Sequence, residues 1–409
     1  NFQHRKASAK LRLIADNGKP LANQTVNLNQ KSHQFLFGVG GFEAVELAGG
    51  VDGAPIPVER ADFLRTKLDK LFAFNNYATL PFYLGRYEPE EGKPDEERTK
   101  AAARWYEQRR VKTKGHPLCW HTVCAPWLMK YSNAEILDKV IARIERDVAA
   151  FAGLIDIWDV INEVVIMPIF DKYDNAITRI CAEIGRVRLV KEVFLAARRA
   201  NPNAVLLLND FDTSTDYNHL IEDCLQAGIP IDVIGIQSHQ HQGYWGKEKL
   251  CEILERFSRY GLPLHFTENT IISGDIMPPH IVDLNDWQVD QWPSTPEGEE
   301  RQAAEVLEMY EILFAHPQVE AITTWSGSDD SWLHAPAGFL RTDNSEKPVY
   351  KALQNKIQKE WHTETTARSD SEGYIQLTGF KGHYEISCAG KSAEVNLNGK
   401  HPIIETTLK

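Results

Sequence analysis

The sequence predicts a (β/α)8 barrel, the TIM-barrel class, joined to a small β-sandwich made from the two chain ends. Two observations point to the barrel. Short apolar runs alternate with amphipathic segments through the middle of the chain, and the runs number eight: Phe35–Gly40, Phe72–Thr79, Val111–Trp120, Ile155–Glu163, Ala204–Asp210, Asp232–His239, Pro263–Asn269 and Val319–Gly327. Some are continuously apolar, as in Ala204, Val205, Leu206, Leu207 and Leu208, the pattern of parallel strands covered on both faces. A third observation points to the sandwich: strand-like alternation around turn residues marks both ends of the chain.

Taken in order, Leu11 and Leu13 alternate before an Asn17-Gly18 turn, and Val26 and Leu28 alternate after it. Behind the third barrel run, Ser132 and Glu135 have capping-box spacing, and Ile136, Val140, Ile144, Val148 and Phe151 then recur as one helical stripe. Thr295-Pro296 opens another helix, with a capping residue before proline at the first helical position. Beyond the barrel the alternating style returns in Tyr374, Leu377, Phe380, Tyr384 and Ile386. Neither end can bury a core alone. The expected division is therefore a catalytic barrel over 35–361 and an accessory sandwich over 7–34 plus 366–409. A doubly wound open sheet is the alternative, but no glycine-rich phosphate loop follows the first run.

Composition narrows the function. A formal charge of −12 argues against a nucleic-acid partner and suits a neutral polymer. No apolar run approaches the roughly 20 residues of a membrane span. The chain begins at Asn1 rather than methionine, which leaves room for a removed leader. Six cysteines lack paired spacing and are expected as buried free thiols. The charges at Glu88–Glu91 and Glu297–Arg301, and the pair Asp329-Asp330, suit helix starts, exposed faces and a solvated turn.

A barrel of this class carries its chemistry at the C-terminal strand ends. Here those ends hold His121, Asn162, Glu163, Asn209, Asp210, Gln237, His239, Glu268 and Trp325. Two glutamates at matched ends are the pair that a retaining glycosidase requires, one carboxyl to protonate the leaving oxygen and one to attack the anomeric carbon. Each would otherwise need a basic partner. The histidines could suggest a metal-dependent hydrolase, but without HExxH or paired-cysteine spacing neither a metal nor another cofactor is expected.

Five segments in one order carry a resemblance. They are Gly115–His121 (GHPLCWH), Trp158–Glu163 (WDVINE), Gly235–His239 (GIQSH), Phe266–Glu268 (FTE), and Thr323–Trp325 (TTW) with Ser331-Trp332. With Lys347–Tyr350 as a closing helix, the barrel resembles glycoside hydrolase family 10, the xylanase family. The resemblance implies Glu163 as acid/base and Glu268 as nucleophile, with carboxyl groups about 5–5.5 Å apart. It further implies that Asn162 binds the sugar 2-hydroxyl and that His239, with Gln237 beside it, holds the nucleophile. His121 would contact the same sugar, and Trp325 and Trp332 would wall it. The implied substrate is a polysaccharide or oligosaccharide, and the implied protein is a secreted or periplasmic monomer, hydrolysing xylan-like or decorated β-glycans in an endo-1,4-β-xylanase-like way. A family-derived binding protein without catalysis is the alternative.

The chain also departs from that family. Where members usually carry Glu-Asn-x-x-Lys-Trp after the second strand, this sequence has Thr79, Leu80, Pro81, Phe82, Tyr83 and Leu84. Asn269 follows Glu268 in place of a more usual aspartate-type context, and the 271–294 loop is long, with Trp287 and Trp292. The loss of the acid, the amide and the lysine predicts a weaker grip on unsubstituted xylan.

Overall fold

The structure is a computed structural model and describes residues 1–409. Its strands are β1 (Lys6–Ile14), β2 (Thr25–His33), β3 (Leu36–Gly40), β4 (Tyr77–Pro81), β5 (Lys112–His116), β6 (Ile157–Asn162), β7 (Val205–Asp210), β8 (Val233–Ile236), β9 (His239–Gln240), β10 (Leu264–Ile271), β11 (Val319–Thr324), β12 (Glu364–Arg368), β13 (Tyr374–Phe380), β14 (Gly382–Cys388), β15 (Lys391–Leu397) and β16 (Ile403–Thr407). The parallel strands β3, β4, β5, β6, β7, β8, β10 and β11 follow one another around a closed barrel, with β11 pairing back to β3 and β9 as a short addition beside β10. Helices fill the connections and cover the outer strand faces.

Local chemistry sets these elements. Ser132 and Glu135 form the reciprocal capping box that starts the Asn133–Ala150 helix, and the hydroxyl of Thr295 accepts from the Gly298 N–H ahead of the Pro296–Ala315 helix. The second barrel strand starts at Tyr77 rather than Phe72, because Phe72 closes the preceding helix with its N–H on the Leu68 carbonyl at 2.9 Å. The third ends at His116, after which the chain turns irregular. Gly115 is required where it stands, since a Cβ there would lie 2.2 Å from the indole of fully buried Trp158.

At the opposite, N-terminal end of the barrel lie the two terminal sheets. β1 runs between antiparallel β13 and parallel β16, while β2 runs between β12 and β14, with β15 outermost. Leu11, Leu13, Val26, Leu28, Leu377, Tyr384 and Ile386 share a core separate from that of the barrel. Arg5 ties this layer to the barrel by donating to the carbonyls of Phe314, His316 and Val319 at 2.6–2.8 Å.

Several charged residues depart from expectation. Glu88 is buried, with Arg146 at 2.7 Å and the Gly92 N–H donating to it at the same distance. Asp329 is not a solvated turn residue: it receives the fully buried Lys347 ammonium at 2.8 Å. Glu299 is likewise buried and binds Arg341 at 2.6 Å. All six cysteines are free, but only Cys119, Cys181 and Cys224 are buried, and Cys251 is exposed. No helix is long and apolar enough to cross a membrane.

Candidate active site

The end of β6 is irregular, with a register shift between Asp159 and Ile161. Glu163 then adopts φ +60°, a left-handed conformation that costs a residue with a side chain about 1–3 kcal/mol. The strain persists because its N–H is held by the Asn209 carbonyl at 2.9 Å. Ser238 has φ +62° between Gln237 and His239. The local kink brings both neighbours to the same group of side chains.

Five of the residues expected from the sequence meet in one hydrogen-bonded group. The Asn162 amide donates to Oε2 of Glu163 at 3.2 Å, and Gln237 donates to the same oxygen at 3.2 Å and to Oδ1 of Asn162 at 3.0 Å. His239 Nε2 lies 3.0 Å from Oε1 of Glu268. The link between the two halves is Asn209, whose amide donates to Asn162 at 3.0 Å and to Glu268 at 2.9 Å. Thr267 orients that amide by donating to its oxygen at 2.6 Å. Asn209 stood in view at the end of its strand, but no sequence motif gave it a role.

The two carboxyl groups are driven in opposite directions. Burial, then the negative charges of Asp210 and Glu268, push Glu163 well above the usual carboxylate range. Burial also works to raise Glu268, but the hydrogen bond from His239 and the charges of His116 and His239 outweigh it and hold the group below its ordinary value. One carboxyl is thereby pushed toward its protonated form and its neighbour toward its ionised form, the division of labour that double displacement needs.

Beneath this pair lies a charged support. Fully buried Asp159 accepts from Lys114 at 3.0 Å and from His116 at 2.6 Å, and these partners hold it ionised despite burial. Asp210, pushed up to about 7 by burial, receives the N–H groups of Val165 at 3.2 Å and Asp212 at 3.0 Å. It thereby braces the turn immediately after Glu163. Asn269 points away from the carboxylates and accepts from Ser238 and Gln240 at 3.2 and 2.9 Å.

Aromatic rings surround the pair. Trp332 packs over His239 and His241, at 4.6 and 4.9 Å between centroids, and Trp325 lies 5.3 Å from His116 and 6.4 Å from His239. Phe42 and Tyr83 extend this wall, Phe42 reaching Trp325 at 5.6 Å and Tyr83 at 6.0 Å. Tyr83 also packs 5.5 Å from His116 and 5.7 Å from Trp120, and its phenol is raised by burial, then by the negative charge of Glu268. Thr79 and Leu80 are fully buried. His121 stays outside the hydrogen-bonded group, buried against Phe170 at 4.4 Å and Trp120 at 5.9 Å, with burial lowering it to about 4. Trp287 and Trp292 pack edge to face at 4.7 Å in the small core of the long 271–294 loop, with Ile272 and Met277.

Comparison with known proteins agrees with this architecture. The barrel of xylanase 10B from Thermotoga petrophila RKU-1, solved with xylobiose, superposes with a TM-score of 0.64 over 80% of this chain and 95% of that one, at 19% identity, a likeness of fold. Among curated relatives, endo-1,4-beta-xylanase B of Thermotoga neapolitana is 26% identical over 262 residues, covering 60% of this chain and 69% of that protein. An endo-1,4-beta-xylanase/feruloyl esterase of Xylanibacter ruminicola is 25% identical over 287 residues, covering 61% of this chain but only 37% of that longer protein. The sequence model of glycosyl hydrolase family 10 matches residues 82–356, from the end of the second barrel strand to beyond the eighth, and the chain belongs to that family of glycoside hydrolases.

Proposed function

We propose that the chain hydrolyses a xylan-like β-1,4-glycan with retention of configuration, Glu163 serving as acid/base and Glu268 as nucleophile. The supporting observation is the pair of carboxyl groups joined through Asn162 and Asn209 yet pushed to opposite protonation states. In the first step the Glu268 carboxylate attacks the anomeric carbon as the Glu163 proton passes to the leaving oxygen. In the second, Glu163, now ionised, takes a proton from water, which displaces Glu268 and regenerates both groups. In this reading Asn162 binds the 2-hydroxyl of the sugar under attack, His239 and Asn209 hold the nucleophile, and Trp325 and Trp332 pack against the sugar's apolar face.

The xylanase names of the relatives support the choice of glycan. The replacement of the family's usual acid, amide and lysine by Thr79, Leu80 and Tyr83 favours a decorated or shortened chain over plain xylan. A polymeric substrate of this class places the work outside the cytoplasmic membrane, in the medium or periplasm. The deciding experiment is proton NMR of the first product from an aryl β-xylobioside. A β-anomer formed first supports the assignment; an α-anomer first would mean inversion and a different use of Glu268.

A further inference from the structure

A cavity of about 310 Å³ lies between the floor of the barrel and the terminal sheets, at the opposite end of the strands from Glu163 and Glu268. Strand beginnings form its barrel side: Lys112 opens β5, and His265 and Glu320 are the second residues of β10 and β11. The chain ends form the other side, with Arg5 just before β1, His33 closing β2, and Lys381 in the turn between β13 and β14. The space is large enough for one small molecule, and such sites favour the seams between packed units.

Charge is the first observation. Three permanent cations, Arg5, Lys112 and Lys381, line the cavity against one acid, Glu320, in a chain whose formal charge is −12. Neither lysine is in an ion pair, and Glu394 on nearby β15 is taken by Arg110. The Arg5 guanidinium donates only to carbonyls and packs over Phe35 at 4.6 Å. Burial lowers it to about 10, and Glu320 offsets only part of that cost. A cation drawn out of water without a counter-charge is costly.

The second observation is independent of charge. His265 is 3% exposed, yet neither of its ring nitrogens has a hydrogen-bond partner in the protein, and Nε2 of His33 is also unpaired. Glu320 does not fill the gap: its carboxylate stands 3.9 Å from Nε2 of His265, beyond hydrogen-bond reach, on a side chain that is 56% exposed. Burial lowers both imidazoles, His33 to about 4, so each is neutral and keeps one N–H to donate. A buried donor without a partner costs free energy that an acceptor in the cavity would recover. Water or a neutral hydroxyl could accept that proton. Only an anion would also balance the guanidinium and the two ammonium groups.

We propose that this cavity binds a small oxyanion, a phosphate or a carboxylate, between Lys112, Lys381 and Arg5, with an N–H from His265. The site is separate from the glycan cleft, and its test needs no hydrolysis. A ligand there touches both the barrel floor and the chain ends.

The probes are inorganic phosphate and glucuronate, with glucose as the uncharged control, titrated by calorimetry into the full chain at constant ionic strength. At least one anion should bind with Kd below about 1 mM, and glucose should not bind. Phosphate binding alone would identify a free ion as the ligand, tighter binding of glucuronate an acidic sugar, and either supports the site. Lys112→Ala with Lys381→Ala should weaken binding about tenfold. Lys191→Ala with Lys247→Ala removes the same charge from helix positions that do not line the cavity and should change nothing. Glu320→Gln, which removes the one like charge, should tighten binding. Anion binding no stronger than that of chloride, equal losses in the two double variants, or weaker binding in Glu320→Gln would each overturn the site.

Discussion

The amide of Asn209 lies 2.9 Å from Oε2 of Glu268 and donates to it. Because the same amide binds Asn162, and Thr267 holds its oxygen, Asn209 cannot rotate away without breaking three contacts. A donor aimed at a buried carboxylate favours the ionised form. Asn209→Ala removes that donor, so the Glu268 pKa rises. With Glu268 as the proposed nucleophile, activity needs it ionised and is lost as pH falls through that pKa. The acid limb of the kcat/KM profile should therefore move to higher pH, with the alkaline limb less affected. An unmoved acid limb would show that His239 alone sets the nucleophile.

The proposed acid role of Glu163 has its own signature. Glu163→Ala should slow hydrolysis of xylo-oligosaccharides by about 10²–10⁴-fold, the usual contribution of a positioned proton donor. An activated aryl glycoside, whose leaving group needs less protonation, should lose less in its first step. Azide, small enough to enter the vacated space, should restore turnover and yield a β-glycosyl azide. Full activity of the variant would remove Glu163 from the mechanism.

Asp210 shapes the other limb. Its charge is the foremost electrostatic influence raising Glu163, after burial. Asp210→Asn keeps an oxygen to accept from the backbone while removing the charge. As the proposed acid, Glu163 must be protonated to act, and activity is lost as pH rises through its pKa. Lowering that pKa shifts the alkaline limb of kcat/KM to lower pH, measurable on an oligosaccharide that needs acid assistance. A shift in the opposite direction would mean that the Asp210 charge does not act on Glu163.

The barrel was legible in the sequence because buried parallel strands are written as apolar runs, and Val205–Leu208 is such a run inside β7. Boundaries were less so: Phe72 is as apolar as a strand residue, but a hydrogen bond to Leu68 decides for the helix. Glu163, Glu268 and His239 stand in local motifs, which made their meeting in one hydrogen-bonded group legible. Asn209 was not legible in this way, since its role depends on a partner 59 positions away. The same limit hid Lys347 under Asp329 and Arg146 over Glu88, because ion pairs between distant segments leave no periodic trace.

The terminal sheets make a stability prediction. β1 pairs with β13 and β16, and β2 with β12 and β14, so each N-terminal strand has its partners at the far end of the chain. Ending the chain after Trp361 strips Leu11, Leu13, Val26 and Leu28 of the core they share with Leu377, Tyr384 and Ile386. Residues 6–33 should then lose amide protection in hydrogen exchange, while the barrel strands keep theirs. Retained protection over 6–33 would show that the N-terminal strands stand on the barrel alone.

Substrate preference turns on Tyr83. Of the three changes from the family's usual pattern, Thr79 and Leu80 are fully buried, so neither offers the polar contact that an acid and an amide would. Tyr83 does join the aromatic wall of the site, 6.0 Å from Phe42 and 5.5 Å from His116, but it brings an uncharged ring where a lysine is usual. Each sugar hydroxyl that loses a fixed partner weakens binding by about 1–3 kcal/mol when the complementary group stays desolvated. Plain xylohexaose should therefore be a poor substrate beside a decorated or shorter β-xyloside, in side-by-side measurements of kcat/KM. Tyr83→Lys should narrow the gap by restoring a cation next to the cleaved sugar. Its effect should fall on plain oligosaccharides more than on aryl glycosides, whose leaving group does not depend on that wall. If the wild type already cleaves xylohexaose efficiently and decoration adds nothing, then Phe42 and Tyr83 supply by packing what the missing polar groups supply elsewhere, and the aromatic wall rather than the lost charges governs recognition.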